Sequence, residues 1–402
     1  VDQRVEVTVG PIAHGGHCVA RHDGQVIFVR HALPDERAIV RITSVGAKFA
    51  RGDAIEILQA SPDRVTAPCK YAGKCGGCDF QHVSLAAQRE LKSAVISEQF
   101  RRLAKLDIHV DVEAVPNPFD TDGSGLHWRT RVTFVADRMG RLGLRRNRSH
   151  DLVLIDDCLI AVPAVAGSKV TERTWPVGST VQAVVGNTGE ESIVVKREDG
   201  DVEILGAEKV HQQVLSRTFE ISADGFWQVH PGAPELLSRA VIDGLAPRPG
   251  EHALDLYAGA GLFTSALLSC VGSEGRVDLV ESSSAGIQDA KVVFGQSPNV
   301  SIHQGDVLRV LRGMSTTSGF RADLVVLDPP RTGAGGQVLA AVAGTQPRKI
   351  AYVACDPAAL ARDTAYLRES AYSLEQVRAF DLFPMTHHIE CVAVFAPLLE
   401  ER

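Results

Sequence analysis

The sequence predicts an α/β C-terminal half built on a parallel, Rossmann-like sheet and preceded by two β-rich segments. Three observations carry this expectation. From about Gly225 onward the apolar runs become continuous and are separated by helical stretches: Ala253–Tyr257, Arg276–Glu281, Leu324–Leu327, Ile350–Ala354 and Ile389–Phe395. Continuous apolar strands alternating with helices mark a parallel sheet covered on both faces. Residues 1–62 instead show short strand-like runs broken by Gly and Pro. Residues 63–221 mostly alternate apolar with polar positions and carry hairpin signals.

A chain of 402 residues is too long for one ordinary core, so the segments 1–62, 63–221 and 222–402 are expected to be separate domains. No apolar run approaches the length of a bilayer span, and the N-terminus lacks a charged-then-apolar leader. The expectation is a soluble, cytoplasmic protein with no membrane partner. A formal net charge of −7 excludes a protein that coats nucleic acid over its whole surface but leaves room for one basic face. Eight cysteines spread over the chain do not resemble a small secreted disulfide scaffold. Nothing implies an obligate protein partner, and a monomer is expected.

In the first segment, Val5–Val9, Gln25–Arg30, Arg37–Thr43 and Asp53–Gln59 read as strands, separated by Gly15-Gly16, Pro34-Asp35 and Arg51-Gly52-Asp53. Such spacing suggests a small barrel. Next come Cys69, Cys75, Gly76-Gly77 and Cys78, three thiols in a short loop whose glycines allow a tight turn around sulfur. Cys158 can supply a fourth ligand. Four thiolates suit a 4Fe–4S cluster or zinc, and zinc more usually shows two paired Cys-x2-Cys units. A helix is expected from about Ser84, its N-cap, to Ala104, with Leu85, Leu91, Val95, Ile96, Phe100 and Leu103 on one face. Beyond it the antiparallel pattern includes turn signals at Gly186-Asn187 and Asp199-Gly200-Asp201. It also includes a basic stretch with Trp128, Arg129, Arg131, Arg138, Arg141, Arg145, Arg146 and Arg148, and only Asp137 as an acid. Arginine reads phosphate and an aromatic ring stacks a base, so this stretch is a candidate RNA contact.

The third segment carries the chemistry. His252 to Thr264 reads as strand, glycine turn and helix start, with Gly259 and Gly261 in the turn. Glycines there let a ligand approach a helix N-terminus. Glu281 ends the next strand, where a carboxylate can accept two ribose hydroxyls. Thr264 replaces the third glycine of the dinucleotide fingerprint, and the layout fits a dinucleotide or S-adenosylmethionine. Asp255 and Asp306 stand where an adenosyl-methionine site places polar contacts. Leu327-Asp328-Pro329-Pro330-Arg331 ends the fourth strand, and Ala354-Cys355-Asp356-Pro357 ends the fifth. A reactive thiol beside a fixed carboxylate, at the ligand-binding edge of such a sheet, suggests addition of a thiolate to C6 of uracil. That addition makes C5 nucleophilic towards a sulfonium methyl, and a base must then remove the C5 proton. Glu390 is the base candidate. Cys391 should face the opposite side of its strand and pack in the core. Cys18 and Cys270 are expected to be structural.

Taken in order, these residues resemble the bacterial RNA uracil-5-methyltransferases, in the branch with an iron–sulfur cluster and an N-terminal TRAM barrel. The resemblance spans nearly the whole chain. It rests on Cys69-x5-Cys75-Gly-Gly-Cys78 with Gln81-His82, on Cys158, on Phe226-Trp227-Gln228-Val229, on the Asp255–Gly261 loop, on Glu281, Asp306, Asp328-Pro-Pro-Arg331 and Cys355, and on Phe383-Pro384 with His388-Ile389-Glu390. It implies a class I (Rossmann-like) S-adenosylmethionine methyltransferase domain, an RNA-binding TRAM/OB-like barrel, and a central domain holding a 4Fe–4S cluster on Cys69, Cys75, Cys78 and Cys158. Gln228, Tyr257, Gly259, Gly261, Glu281, Asp306 and Asp328 would bind the cofactor. Cys355 would be the nucleophile and Glu390 the proton-abstracting base. The RNA partner would be transfer or ribosomal RNA. The chain departs from the family pattern at Leu262, where a small polar residue is usual, and at Asp356 and His230, where Asn is usual. Three other readings stay open from the residues: a cytosine-5 methyltransferase, an exocyclic-amine methyltransferase acting on a purine, and a non-catalytic iron–sulfur RNA-binding protein.

Overall fold

Alternating burial closes the first segment on itself. In β1 (Arg4–Ala13), Val5, Val7 and Val9 point inward while Arg4, Glu6 and Thr8 face solvent. In the computed structural model, β1 closes a barrel with β2 (His17–His22), β3 (Gln25–Arg30), β4 (Arg37–Val45) and β5 (Phe49–Gln59), in the order β1-β2-β3-β5-β4. Closure removes the exposed strand edges. The structure describes residues 1–316 and 319–398; the others, all within the third expected domain, lie outside the described residues. Two details correct the sequence reading. The short, partly polar run His17–His22 is a full strand. Arg51-Gly52-Asp53, read as a break, lies inside β5, where the register against β4 shifts.

The expected helix is α1 (Leu85–Gln99), capped by the Ser84 hydroxyl and continued by one π turn over Phe100–Ala104. Val95, Ile96 and Phe100 are buried, but Leu103 is exposed. A π turn moves later residues around the axis relative to the 3.6-residue repeat, so Leu103 leaves the apolar face. Gln88 and Lys92 occupy that face instead.

After α1 the chain adds β6 (Val112–Ala114) to the edge of the C-terminal sheet, parallel to β20. The central sheet is antiparallel in the order β12-β11-β10-β7-β8-β9. Its strands are β7 (Arg131–Ala136), β8 (Leu142–Arg145), β9 (Leu152–Leu154), β10 (Thr180–Val185), β11 (Glu191–Lys196) and β12 (Val202–Gly206), with the short α2 (Pro163–Gly167) between β9 and β10. The hairpin turns fall at Gly186-Asn187 and Asp199-Gly200, as read from the sequence. The hairpin β13 (Lys209–Val214) and β14 (Arg217–Ser222) packs Val210, Phe219 and Ile221 into the core of the third segment. Both α1–β6 and this hairpin therefore belong physically to the C-terminal core, although they precede residue 222.

The third segment runs α3 (Ala233–Leu245), β15 (His252–Leu256), α4 (Leu262–Val271), β16 (Arg276–Glu281), α5 (Ser284–Phe294), β17 (Val300–Gln304), α6 (Val307–Ser315), β18 (Leu324–Leu327), α7 (Gly336–Gly344), β19 (Lys349–Ala354), α8 (Pro357–Glu369), β20 (Tyr372–Asp381), β21 (Glu390–Pro397). The sheet order is β17-β16-β15-β18-β19-β21-β20-β6, with only β21 antiparallel to its neighbours. Helices α3, α4 and α5 cover one face and α1, α6, α7 and α8 the other. Strands covered on both faces must be apolar throughout, and β15 is buried at every position. No helix among the described residues is long and apolar enough to cross a membrane.

Candidate active site

The parallel strands β15 to β19 end along one edge of the sheet, and strand order reverses between β15 and β18. Ligands of open α/β sheets bind at such a switch point, outside the carboxyl ends of the strands. Tyr257, Glu281, Asp306, Asp328 and Cys355 stand at or just past those five ends. Because β21 runs the other way, its first residue, Glu390, lies at the same edge. Ala354 pairs with Cys391, which puts Cys355 opposite Glu390.

The glycine loop is shaped for close approach. Tyr257 adopts φ +61°, a strained value for a bulky residue, and Gly259 and Gly261 adopt φ +55° and +88°. A Cβ on Gly261 would sit 2.5 Å from the Phe294 ring. Asp255 is fully buried. Its Oδ2 accepts the Thr264 N–H and hydroxyl at 2.7 and 2.6 Å, while Oδ1 has no partner. Thr264, unremarkable except as a missing glycine, thus answers half of a buried carboxyl. Burial, only partly offset by Thr264, pushes Asp255 up to about 7. Glu281 accepts the Gly259 and Ser283 N–H groups at 2.9 and 2.5 Å and so ties the loop to β16. Asp306 caps α6 through the Arg309 N–H at 3.0 Å. Leu262 is buried in the core, and His230 is buried too, its Nδ1 accepting the Gly232 N–H at 3.1 Å.

Gln228 lies on the loop before α3. That loop is held by the central domain. Arg131 Nη1 donates to Ala223 and Gly225 carbonyls at 3.1 and 2.7 Å, and the Thr130 N–H and hydroxyl both donate to Val229 O at 2.9 Å. This corrects the expectation for Arg131 and Trp128. Arg131 is 4 % exposed and Trp128, packed against Phe383 and His230, is 2 % exposed, so neither presents a surface to RNA. Arg129 is half-buried and lines the cysteine cavity. Arg145, the last residue of β8, and Arg146, the first of the turn that follows, are exposed.

Around Cys355 the titratable groups are buried against one another. Glu390 is 3 % exposed. Burial, the charge of Asp328 and a smaller opposing effect of Arg331 leave the Glu390 carboxyl well above the usual range, and burial with nearby Asp255 likewise raises Asp328. Burial and then Glu390 push the Cys355 thiol up to about 12. Burial thus leaves a thiol beside carboxyls whose basicity is raised. Cys355, Arg331, His387 and His388 line a cavity of about 200 Å³ together with the β1–β2 turn of the barrel. The sequence reading named residues of the loop before β21 but missed how α1 holds it. Gln88 Oε1 accepts the Met385 N–H at 2.8 Å, and Lys92 Nζ reaches Asp381 at 2.6 Å and the Phe383 carbonyl at 3.1 Å. The available signal was a Gln–Lys pair, four residues apart, inside an apolar helix face. Cys391 faces the other way and is buried, as expected.

The four cysteines Cys69, Cys75, Cys78 and Cys158 are unpaired and line one cavity of about 110 Å³. Burial pushes Cys78 up to about 12 and Cys158 to about 11, and neighbouring thiols add to both. The Gly77 N–H points at Cys75 Sγ at 3.4 Å. Among the described residues, no group of three or more His, Cys, Asp or Glu side chains is arranged to hold a metal ion.

A doubly covered parallel sheet of this order, with a glycine loop and acidic strand ends at its switch point, defines a methyltransferase fold, here joined to a small closed barrel. Residues 1–55 match the TRAM domain family, and residues 299–397 match the tRNA (uracil-5-)-methyltransferase family. The chain is 44 % identical to an uncharacterized RNA methyltransferase of Streptomyces avermitilis over 98 % of each chain. It is 35 % identical to one of Bifidobacterium longum over 98 % of this chain and 96 % of that protein. The chain belongs to this family of RNA methyltransferases. Its fold also matches the crystal structure of Pyrococcus abyssi tRNA (uracil-54, C5)-methyltransferase in complex with S-adenosyl-L-homocysteine, with a TM-score of 0.73 and 21 % identity over 98 % of this chain and 100 % of that one.

Proposed function

We propose that the protein methylates C5 of a uridine in transfer or ribosomal RNA, using S-adenosylmethionine, with Cys355 as nucleophile and Glu390 as base. The observation that carries this reading is the placement of Cys355 opposite Glu390, beside Asp328, at the ligand-binding edge of a methyltransferase sheet. A purine amine methyltransferase needs no thiol there, and a binding protein needs neither the thiol nor the raised carboxyls.

The cofactor would be held by Gln228, Tyr257, Gly259, Gly261, Glu281, Asp306 and Asp328. Support comes from the unpartnered Asp255 Oδ1 under the glycine loop, from the strained Tyr257 backbone and from the P. abyssi fold relative. S-adenosylmethionine supplies an electrophilic methyl group. The chain's own residues do the rest. The Cys355 thiol releases its proton to solvent and its sulfur bonds C6 of the uracil, which moves the ring electrons onto O4 and makes C5 nucleophilic. Asp328 is placed to hold the ring. Once C5 carries the methyl, the Glu390 carboxylate takes the C5 proton, the C6–S bond breaks and Cys355 leaves as thiolate. A carboxyl raised by burial is the stronger base for that step.

We further infer that Cys69, Cys75, Cys78 and Cys158 hold a 4Fe–4S cluster. The support is the donor set, four unpaired thiols on one cavity, with a backbone amide directed at sulfur. Its role would be structural, because methyl transfer moves no electron. Arg145 and Arg146 would contact RNA phosphates.

The direct test is to incubate Glu390→Gln protein with S-adenosylmethionine and unmodified RNA and separate the products under denaturing conditions. An RNA–protein adduct that carries the methyl group and is absent from the Cys355→Ala, Glu390→Gln double variant supports the mechanism. Adduct formation by the double variant would rule out Cys355 as the nucleophile.

A further inference from the structure

We propose that the β1–β2 turn of the N-terminal barrel is part of the catalytic site, with His14 as a positioning residue that holds the Asp356 carboxylate away from the Cys355 thiol and balances its charge. The proposal rests on reading Cys355 as the nucleophile, and it gives the barrel a second task beside binding RNA.

The turn His14-Gly15-Gly16 reaches from the barrel to the carboxyl edge of the C-terminal sheet. His14 Nε2 lies 2.9 Å from Asp356 Oδ2. Gly16, at φ +75°, packs so closely on the loop before β21 that an added Cβ would sit 2.8 Å from the His387 Cβ. The same cavity is lined by His14, Gly16, Cys355, Arg331, His387 and His388. One wall of the catalytic cavity is therefore barrel backbone.

The chemistry explains why a histidine is wanted there. Asp356 follows Cys355 directly, and a carboxylate beside a thiol opposes formation of the thiolate. The structure occupies both Asp356 oxygens. Oδ1 accepts the Ala359 N–H at 2.8 Å and caps α8, a task an asparagine would do equally well. Oδ2 takes His14. A cap alone leaves the extra charge of an aspartate unanswered; the His14 imidazole, 2.9 Å away, answers it when it carries its second proton. The groups facing His14 are Asp356 and Glu98 of α1, both acidic, and the hydrogen bond to Asp356 raises the His14 pKa. The groups facing Cys355 are Glu390, Asp328, Asp356 and the cation of Arg331. With three acids around the thiol, neutralising one of them changes the balance at sulfur.

The test reads Cys355 itself, on the full-length protein without RNA or cofactor: its alkylation by iodoacetamide, followed by mass analysis of the Cys355 peptide. His14→Gln keeps the bulk and a hydrogen-bond donor but removes the charge. Near neutral pH this variant should alkylate more slowly by roughly threefold, equivalent to about half a pKa unit. The His14→Gln, Asp356→Asn double variant should recover the wild-type rate. The difference between His14→Gln and wild type should close at alkaline pH, where residue 14 is uncharged in both, a signature that a merely structural contact does not produce. A His14→Gln rate equal to wild type, or a double variant as slow as the single one, would overturn the proposal. Failure of the nucleophile assignment shows elsewhere, as methyl transfer surviving Cys355→Ala, so the two failures are distinguishable.

Discussion

Cys355 and Cys78 are both half-buried thiols pushed up to about 12, yet they sit in opposite chemical surroundings. Cys78 faces three other thiols on a cavity with Arg129 at its wall, whereas Cys355 faces carboxyls and one arginine. Burial sets the direction of the shift in both places, and the neighbours decide what the thiol can do. Thiols gathered together can, once deprotonated, bond one metal centre between them. A lone thiol beside raised carboxyls can pass its proton to a base and attack. The two regions are also mechanically joined. The Asp79 and Phe80 N–H groups, just after Cys78, donate to the Met385 carbonyl at 3.0 and 2.9 Å, and the Asp79 carboxylate meets His387 Nδ1 at 2.5 Å. The cysteine loop thereby braces the loop that leads to Glu390.

The largest expected effect sharpens the difference. Cys355→Ala should lower methyl transfer by more than about 10³-fold, as removal of a covalent nucleophile does, with RNA affinity retained. Cys78→Ser should leave Cys355 alkylation in place but remove bound iron and its visible absorbance from purified protein. If iron content were unchanged in Cys78→Ser, Cys158→Ser and Cys69→Ser alike, the cluster assignment would be wrong. Glu390→Gln should cost about 10²–10⁴-fold in turnover while adduct accumulates.

The bracing interactions should show in stability. Lys92 and Asp381 are 1 % and 2 % exposed and 2.6 Å apart, so Lys92→Met leaves a buried carboxylate unpaired and should cost about 3–5 kcal/mol in denaturant unfolding. A smaller effect is expected at the basic turn. Arg145→Ala with Arg146→Ala should weaken RNA binding and lower the magnitude of its salt slope by about one for each phosphate that is no longer neutralised. An unchanged slope would remove that turn from the RNA interface.

Two pH effects follow with opposite locations. Burial and the charge of Asp328 raise Glu390, so its base form is lost as pH falls through that raised value. The acid limb of turnover should therefore lie above about 4.3, the ordinary glutamate value. Asp278 at the core strands behaves the other way. Burial would raise it, but hydrogen bonds from His252 and His303, each at 2.6 Å, hold it well below its ordinary value. It contributes stability above the unfolded carboxylate value, about 3.9, and that contribution is lost as pH falls further.

The parallel sheet and its chemical edge were legible because strands buried on both faces leave continuous apolar runs that end at Asp328, Cys355 and Glu281. The closed barrel was legible from turn spacing, though the polar β2 and the start of the bulged β5, Phe49–Gly52, were not, since alternation is weak in both. Trp128 and Arg131 misled for a physical reason. Aromatic and guanidinium groups serve equally for stacking RNA and for packing under a loop, and composition does not say which way they point. The His14–Asp356 contact was illegible because it joins residues 342 positions apart. The sequence showed only that Asp356 stands where the family pattern has Asn.

The central claim is that this edge of the sheet performs thiol-dependent methylation of uracil C5. The measurement that tests it most directly is nucleoside mass analysis of unmodified transfer and ribosomal RNA pools after incubation with labelled S-adenosylmethionine and either wild-type or Cys355→Ala protein. The account predicts labelled 5-methyluridine in one pool with wild-type protein and none with the variant. Label in 5-methylcytidine or a methylated purine, or 5-methyluridine made undiminished by Cys355→Ala, would contradict it.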